Sequence, residues 1–348
     1  MLTFIILLLT LVIASLTFPL PLIYAQTDIP IVSTRNFFNV NTGERIPGIN
    51  LPPALSILNS NACPGELGFY LHGWWASPEE AIEQTERVFL SLQKSDYDIP
   101  ILGFSWNSHT GWDMSKKIAN GNGPLLADFI KEFKDDCPTD DVRIIAHSLG
   151  SRVALSAIQS LYDTYSHETV SKILKSVHLL GAAVDNEQVS LDDLNECRFV
   201  NSPPLKCTGE AISLVADHFY SLFNPEDNLL APQIIPYCTF CSCPFCTYFE
   251  STYYLNENDD PLGRNAVRHI ISIPPNYEEY NVMDEIGLDD DADGDDECDL
   301  KLAGTCTIRY VGDNHFGYMG YRSVTDPNII TNSRVMNLVA GDWRSDIN

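Results

Sequence analysis

Ser148 has the surroundings that a nucleophilic serine requires. It lies between a predicted strand at residues 142–146 and a predicted helix at residues 152–162. A tight strand-turn-helix of this kind lifts a hydroxyl above the sheet and points the N-terminus of the next helix toward it. The small residues Ala146 and Gly150, two positions to either side, leave room for that turn. The alternative is that Ser148 only caps the helix, since serine is a favoured N-cap residue.

A nucleophilic serine needs a base, and His315 is the predicted one. It lies near the C-terminus, after the last strand candidates. A histidine in this place takes the serine proton as general base and returns it to the leaving group as general acid. His269 is the alternative base. Three other histidines are expected to have structural roles, namely His72, His147 and His178.

The base in turn needs an acid that orients its imidazole, and Asp227 is the predicted one. It follows a predicted strand at residues 218–223, where parallel strands bring such groups to one edge of a sheet. The alternatives are Glu226, its neighbour, and Asp185, which follows the preceding predicted strand.

Short apolar runs and amphipathic stretches alternate along the chain and predict the elements that position these residues. The predicted strands lie at residues 67–71, 101–106, 142–146, 175–181 and 218–223, and the predicted helices at residues 77–94, 124–133 and 152–162. Strands that alternate with helices in this way form a mostly parallel sheet with helices on both faces.

From Leu67 to Tyr321 the chain resembles the α/β-hydrolase superfamily, in particular serine hydrolases of the esterase/lipase type. The matching segments are His72-Gly73-Trp74, Phe104-Ser105-Trp106, Ala146-His147-Ser148-Leu149-Gly150, Phe223-Asn224-Pro225-Glu226-Asp227 and Asn314-His315-Phe316-Gly317-Tyr318. The chain order of serine, acid and histidine is also the order in that superfamily. The resemblance implies a three-layer α/β sandwich with a mostly parallel central sheet.

The resemblance also implies roles for the residues of the site. Ser148 would be the nucleophile, His315 the base and Asp227 the acid. The main-chain N–H groups of Trp74 and Leu149 would form the oxyanion hole, which stabilises the charge of a tetrahedral intermediate. Trp75, which adjoins this loop, is expected to contact the substrate, which would be a small-molecule or lipid-like ester.

The charge balance excludes one class of partner. Lys and Arg number 21 and Asp and Glu number 47, so the formal net charge is −26. Nucleic-acid binding depends on neutralising phosphates with cationic side chains, so we expect no nucleic-acid partner. Basic docking on anionic lipid is disfavoured for the same reason.

The N-terminal segment is typical of a secretory signal peptide. Residues 1–27 carry no charged side chain, and a small residue, Ala25, offers a cleavage site. The alternative is an uncleaved N-terminal anchor, through which the protein could associate with a membrane. We therefore expect a secreted or cell-surface protein whose residues 26–348 form one domain. Ten cysteines fit such an oxidising compartment.

The cysteines suggest several disulfides. In an α/β-hydrolase the strands that follow Cys63 and Cys137 would be adjacent, so a bridge between these two is expected. Cys197 with Cys207, and Cys298 with Cys306, would close short loops. Four cysteines are closely spaced within an aromatic-rich insertion at residues 229–255, and they favour disulfides over a zinc site: Cys238, Cys241, Cys243 and Cys246. The insertion is either packed in the core or an apolar rim of the site.

An acidic loop at residues 284–299 has the spacing of a calcium loop. Asp289, Asp291 and Asp293 alternate before a glycine, and calcium prefers carboxylate oxygens placed in this way. A solvated acidic loop is the alternative reading. Any bound calcium would be structural, since catalysis by the predicted triad requires no cofactor.

The sequence therefore predicts an exported serine hydrolase that cleaves carboxylic esters through an acyl-enzyme. One alternative is a non-catalytic calcium-binding surface protein on the same scaffold. Another is an acyltransferase or amidase with the same triad.

Overall fold

The computed structural model of the chain describes residues 29–58, 60, 62–165, 172–191, 207–227, 229–230, 234–236, 248–250, 261–267, 272–286, 300–302, 305–308, 313–322, 330–331 and 333–346. The strands are β1 Ile31–Ser33, β2 Glu66–Leu71, β3 Ile101–Ser105, β4 Asp141–His147, β5 Leu174–Leu180, β6 Ala216–Phe223, β7 Ile234–Pro236, β8 Tyr248–Glu250, β9 Tyr277–Asn281, β10 Leu300–Leu302, β11 Thr305–Ile308, β12 Tyr321–Arg322 and β13 Ile330–Thr331. The α-helices are α1 Ala54–Ile57, α2 Pro78–Lys94, α3 Trp112–Asp136, α4 Gly150–Tyr165, α5 Gly209–Val215, α6 Leu262–Asn265, α7 Met283–Ile286, α8 Asp313–Phe316 and α9 Arg334–Ser345.

A seven-stranded sheet lies at the centre, with the order β1-β3-β2-β4-β5-β6-β9. Every pairing between these neighbours is parallel. Parallel neighbours need crossover connections, which the intervening helices supply. The prediction of a mostly parallel sheet is therefore confirmed. Three short antiparallel pairs stand apart from it, formed by β7 with β8, β10 with β11 and β12 with β13.

Helices cover both faces of this sheet. Alternate residues of a strand face opposite sides, so Phe69 and Leu71 of β2 pack in the cluster that contains α3 and α4. Tyr70, between them, packs in the second cluster, which contains residues of α2 and α9. Two apolar clusters separated by one sheet give the three-layer sandwich that the resemblance implied.

The first sheet-covering helix, α2, begins as its sequence predicts. The Ser77 hydroxyl accepts a hydrogen bond from the main-chain N–H of Glu80, and the Glu80 carboxylate accepts one from the N–H of Ser77. Pro78 occupies the first helical position, where no intrahelical N–H bond is lost. These bonds fix the point at which the chain leaves the loop after β2.

Helix α3 begins at Trp112, twelve residues before the predicted start at residue 124. Pro124 lies inside the helix and cannot donate to the carbonyl of Asn120, which normally ends a helix. Here the hydroxyl of Ser156 in α4 donates to that carbonyl over 2.8 Å. Gly123 makes this approach possible, because a Cβ there would overlap Ser156. The neighbouring helix thus supplies the hydrogen bond that the proline removes.

Elements outside the region of resemblance complete the fold. β1 pairs with β3 at one edge of the sheet. α9 contributes Trp343 to the second cluster, and Asp346 just beyond it forms a 2.8 Å ion pair with Arg143 of β4, with both side chains buried. The structure therefore ties both ends of its described range to the central sheet.

The predicted disulfide between Cys63 and Cys137 is present, with a Cα–Cα distance of 5.6 Å. It joins the segments that lead into β2 and β4, which pair as expected. Cys207 is also disulfide-bonded, and its predicted partner Cys197 lies outside the described residues.

Several other predictions concern residues outside the described part of the chain. These are the signal segment at residues 1–25, the cysteine cluster Cys238, Cys241, Cys243 and Cys246, the calcium ligands Asp289, Asp291 and Asp293, and the alternative base His269. The insertion at residues 229–255 is described only at residues 229–230, β7 and β8. Within the described ranges, no helix has both the length and the apolar character that a membrane crossing requires.

Candidate active site

Ser148 occupies a strained turn between β4 and α4. Its φ is +53°, a left-handed conformation that is uncommon for residues other than glycine and that concentrates at functional sites. Its main-chain N–H donates to the carbonyl of Leu180 over 2.9 Å, which anchors the turn to β5. A Cβ at Gly150 would overlap the carbonyl oxygen of Leu71. The glycine is therefore required for the helix to start so close to β2.

His315 and Asp227 are joined by a short hydrogen bond. His315 Nδ1 lies 2.6 Å from Asp227 Oδ2, and both side chains are buried. The other carboxylate oxygen, Oδ1, accepts from the main-chain N–H groups of Leu229 and Leu230 at 3.1 and 3.0 Å. The carboxylate is thus held on one side by the main chain and presents its second oxygen to the imidazole.

This pairing bears on the alternative acids. Asp185 is buried as well, at the start of a short 3₁₀ helix, Asn186–Val189. The carboxylate bonded to His315, however, is that of Asp227 rather than Asp185 or Glu226. The geometry therefore favours Asp227 as the residue that orients the imidazole.

A cavity of about 360 Å³ brings four of the predicted site residues together: Ser148, His315, Trp74 and Trp75. It is lined by Gly73, Trp74, Trp75, Gln84, Trp112, His147, Ser148, Ala183, Leu229, Leu230, His315 and Phe316. Among these described residues there is no Asp, Glu, Lys or Arg. Large apolar side chains form most of the wall, which is typical of small-molecule sites.

Aromatic residues concentrate at the cavity on the side of the loop after β2. The ring of Trp74 lies 5.2 Å from that of Trp75 and 5.6 Å from that of Trp112, both edge-on. Trp75 is 52% exposed, and Phe316, from the segment of His315, is 38% exposed. The structure thus places Trp75 on the cavity wall, where substrate contact was predicted.

The loop that carries Trp74 and Trp75 is held by several hydrogen bonds. The N–H of Trp75, whose φ is +64°, donates to the carbonyl of Ser108 over 3.1 Å. The guanidinium of Arg35 donates to the carbonyls of Ala76 and Ser77 at 3.0 and 2.8 Å. A fixed loop is what an oxyanion hole requires, since its donors must be in place before charge develops.

The two predicted oxyanion donors come from different elements. Trp74 belongs to the cavity wall, while Leu149 follows Ser148 directly and packs its side chain into the core. The role of their main-chain N–H groups stays a prediction.

Two other lining residues, Gln84 and Trp112, had no signal in the sequence. Gln84 lies on α2 and accepts a 2.9 Å hydrogen bond from the hydroxyl of Tyr70. Trp112 comes from the first turn of α3, which was not predicted to be helical. Leu229 and Leu230 begin the predicted insertion at residues 229–255, and both line the cavity.

His72 has the structural role that was expected of it. Its Nε2 accepts from the main-chain N–H of Trp106 at 3.1 Å, and its ring stacks on the Trp106 indole. Its Nδ1 lies 2.9 Å from the carbonyl of Gly73. Burial lowers the pKa of His72 to about 3, so the ring is neutral at physiological pH.

This neutral histidine predicts a loss of stability in acid. In the unfolded chain the pKa of His72 is the ordinary value of about 6.5. At pH 5 the unfolded chain therefore binds a proton that the folded chain does not. The contribution of the neutral His72 ring to the free energy of unfolding is fully present above pH 6.5 and is lost as the pH falls toward 3. Between pH 7 and pH 5 we expect His72 alone to lower the free energy of unfolding by about 2 kcal/mol. Urea denaturation at the two pH values measures the loss. A ring NMR titration that shows His72 protonating near pH 6.5 in the folded protein would contradict this explanation.

One family of known proteins is similar in sequence to the central part of the chain. Residues 62–205 match the model of a family described as an alpha/beta hydrolase of unknown function. The matched segment contains β2 to β5 and Ser148, but neither Asp227 nor His315. No functionally curated protein is similar enough in sequence to match the chain. Together with the parallel sheet, the match confirms the resemblance to the α/β-hydrolases and supports a hydrolase.

Solved structures with similar chain traces include three hydrolases. A Trichoderma reesei cutinase in complex with a phosphonate inhibitor is 22% identical, covers 37% of this chain and 59% of its own, and has a TM-score of 0.25. The catalytic core domain of acetyl xylan esterase from Trichoderma reesei is 12% identical, with coverages of 37% and 68% and a TM-score of 0.27. Phospholipase PlaB from Legionella pneumophila is 16% identical, with coverages of 48% and 40% and a TM-score of 0.28. The chain thus spans less than two thirds of the cutinase and of the phospholipase, and likenesses this partial carry no information about activity.

Proposed function

We propose that the protein is a serine hydrolase that cleaves carboxylic esters. The observation that carries this proposal is the buried hydrogen bond between His315 and Asp227 at a cavity that Ser148 also lines. The strained conformation of Ser148 is further support, since the nucleophilic serine of such enzymes lies on a sharp, strained turn between a strand and a helix.

The proposed reaction proceeds in two halves. The Ser148 hydroxyl attacks the carbonyl carbon of the ester while His315 takes its proton, and His315 then returns the proton to the departing alcohol. Water hydrolyses the resulting acyl-enzyme, again with His315 as base. Asp227 keeps Nδ1 of His315 protonated, so that Nε2 has the lone pair that accepts the proton of Ser148. The N–H groups of Trp74 and Leu149 are the proposed donors to the tetrahedral oxyanion.

The cavity supports an uncharged, predominantly apolar substrate. Its described lining contains tryptophan, leucine and phenylalanine, and no Asp, Glu, Lys or Arg. An anionic substrate would find no Lys or Arg in the described lining and would approach a protein of net charge −26. We therefore propose a small-molecule or lipid-like ester whose acyl group contacts Trp75.

We also propose that the protein is secreted or exposed at the cell surface. The disulfide between Cys63 and Cys137 supports it, because disulfides persist in oxidising compartments. An association with membranes through the N-terminal segment would accompany an uncleaved signal.

Labelling with a fluorophosphonate tests the proposal directly. The reagent phosphonylates only a serine whose base and oxyanion site are in place, so we expect one adduct, on the peptide that contains Ser148. Mass spectrometry of the digested protein locates the adduct, and the S148A variant is the blank. A folded protein that takes up no label would instead favour a non-catalytic calcium-binding scaffold. Label on another serine would show that Ser148 is not the nucleophile.

A further inference from the structure

His147, the last residue of β4, is in direct contact with the segment of the proposed base. Its Nε2–H donates a hydrogen bond to the main-chain carbonyl oxygen of His315 over 2.7 Å, between residues 168 positions apart. Its ring centroid lies 4.8 Å from that of His315 and 5.7 Å from that of Phe316. His147 is buried and lines the cavity. One side chain thus links the serine turn to the main chain of the histidine.

The segment of His315 depends on such a contact. Its helix, α8, is only four residues long, and a single helical turn is unstable without tertiary support. The carboxylate of Asp227 holds the imidazole of His315, whereas His147 holds its main-chain carbonyl. A residue held at both its side chain and its main chain has little freedom to move relative to Ser148.

The chemistry of His147 suits this task. Donation to a carbonyl requires the hydrogen on Nε2, which leaves Nδ1 as an unprotonated acceptor. Burial lowers the pKa of His147 well below its usual value, and the neighbouring His315 lowers it further. The ring is therefore neutral at physiological pH and places no positive charge against His315 when that residue takes up a proton.

We propose that His147 is a positioning residue for the proposed hydrolysis, in that its hydrogen bond fixes the main chain of His315 so that the imidazole faces Ser148. This inference rests on the proposed function. His147 exchanges no proton with the substrate. Its effect is on the chemical step, because a displacement of a catalytic group by about 1 Å lowers the rate on the order of 10²-fold.

Three variants separate this role from simple packing. In H147Q the side-chain amide reaches the position of Nε2 and can still donate to the carbonyl of His315. In H147N the amide is one bond too short, and in H147L there is no donor. We expect kcat for a p-nitrophenyl ester to fall roughly 10- to 100-fold in H147N and H147L, with KM nearly unchanged, and to be largely restored in H147Q.

H178L is the matched control. His178 is an equally buried histidine in the neighbouring strand β5, and its Nε2 contacts Asp342 rather than the cavity. We expect H178L to lower the unfolding temperature without lowering kcat. The inference is overturned if H147Q is as slow as H147L, or if H147N keeps the wild-type kcat.

Misfolding of H147L and the labelling of the wild-type protein each have a defined consequence for the proposal. If H147L does not fold, the comparison of H147Q with H147N decides, since both replace the ring with an amide. Fluorophosphonate labelling of the wild-type protein separates the two proposals. Absence of label at Ser148 overturns the proposed function, whereas labelling together with an undiminished kcat in H147N overturns only the role of His147.

Discussion

Replacing Ser148 with alanine is expected to lower kcat for p-nitrophenyl butyrate by about 10⁴-fold or more. The substitution removes the atom that forms the acyl-enzyme and leaves the cavity and the proposed oxyanion donors in place. The residual rate is then the rate of water attack in a site that still binds and polarises the ester. Release of p-nitrophenolate under saturating substrate measures the effect.

S151A is the matched control for this variant. Ser151 is a buried serine three positions later, within α4, and its hydroxyl lies 3.5 Å from the carbonyl of Ala146 rather than in the cavity. We expect S151A to keep its activity and both variants to show the circular dichroism spectrum of the wild type. Ester turnover that persists in folded S148A would exclude Ser148 as the nucleophile.

Replacing Asp227 with asparagine is expected to lower kcat by about 10⁴-fold while the fold stays intact. The asparagine oxygen can still accept from the N–H groups of Leu229 and Leu230, as Oδ1 of Asp227 does. Its amide N–H₂, however, would face Nδ1 of His315 and donate to it. The hydrogen of the imidazole would then be on Nε2, where it cannot accept the proton of Ser148.

D185N distinguishes the two candidate acids. It makes the same change of charge at a second buried aspartate near the site, one that does not bond His315 Nδ1. We expect D185N to keep kcat within about tenfold of the wild-type value, since a rate change of that size corresponds to about 1.4 kcal/mol of indirect effect. A stronger loss in D185N than in D227N would reassign the acid. The kinetics are to be read beside the unfolding temperatures of both variants.

The residues at the ends of the central strands could be predicted from the sequence, because strand order alone determines where they meet. Ser148 and Asp227 each follow an apolar run, and in a parallel sheet such positions share one edge. The histidine followed from chain order rather than from local pattern. Its pairing with Asp227 over 88 positions is a tertiary contact that no local spacing encodes.

Other features could not be predicted because their cause is tertiary. β1 has three residues, too few for an alternation to be visible. β9 pairs with β6 at the edge of the sheet and exposes Glu278 and Glu279, so its sequence does not resemble a buried strand. The true start of α3 depends on Ser156, a residue of another helix, which compensates for Pro124.

The hydrogen bond of His147 could not be predicted from the sequence either, because its partner is a tertiary contact. A histidine before the serine was expected to have only a structural role. Its donor capacity matters because the carbonyl of His315 comes within hydrogen-bond distance, and only the folded chain reveals that partner.

The hydrogen bonds of the site also determine when it can form during synthesis. Contacts between residues 88 and 168 positions apart close late, because the entropy of closing such long loops must first be offset by other contacts. The ribosome delivers the N-terminal half first, so β4 and the turn of Ser148 emerge well before His315. A nascent chain therefore carries the serine turn before the proposed base, His315, has been translated. A chain that terminates before residue 315 would have the serine turn but lack the proposed base.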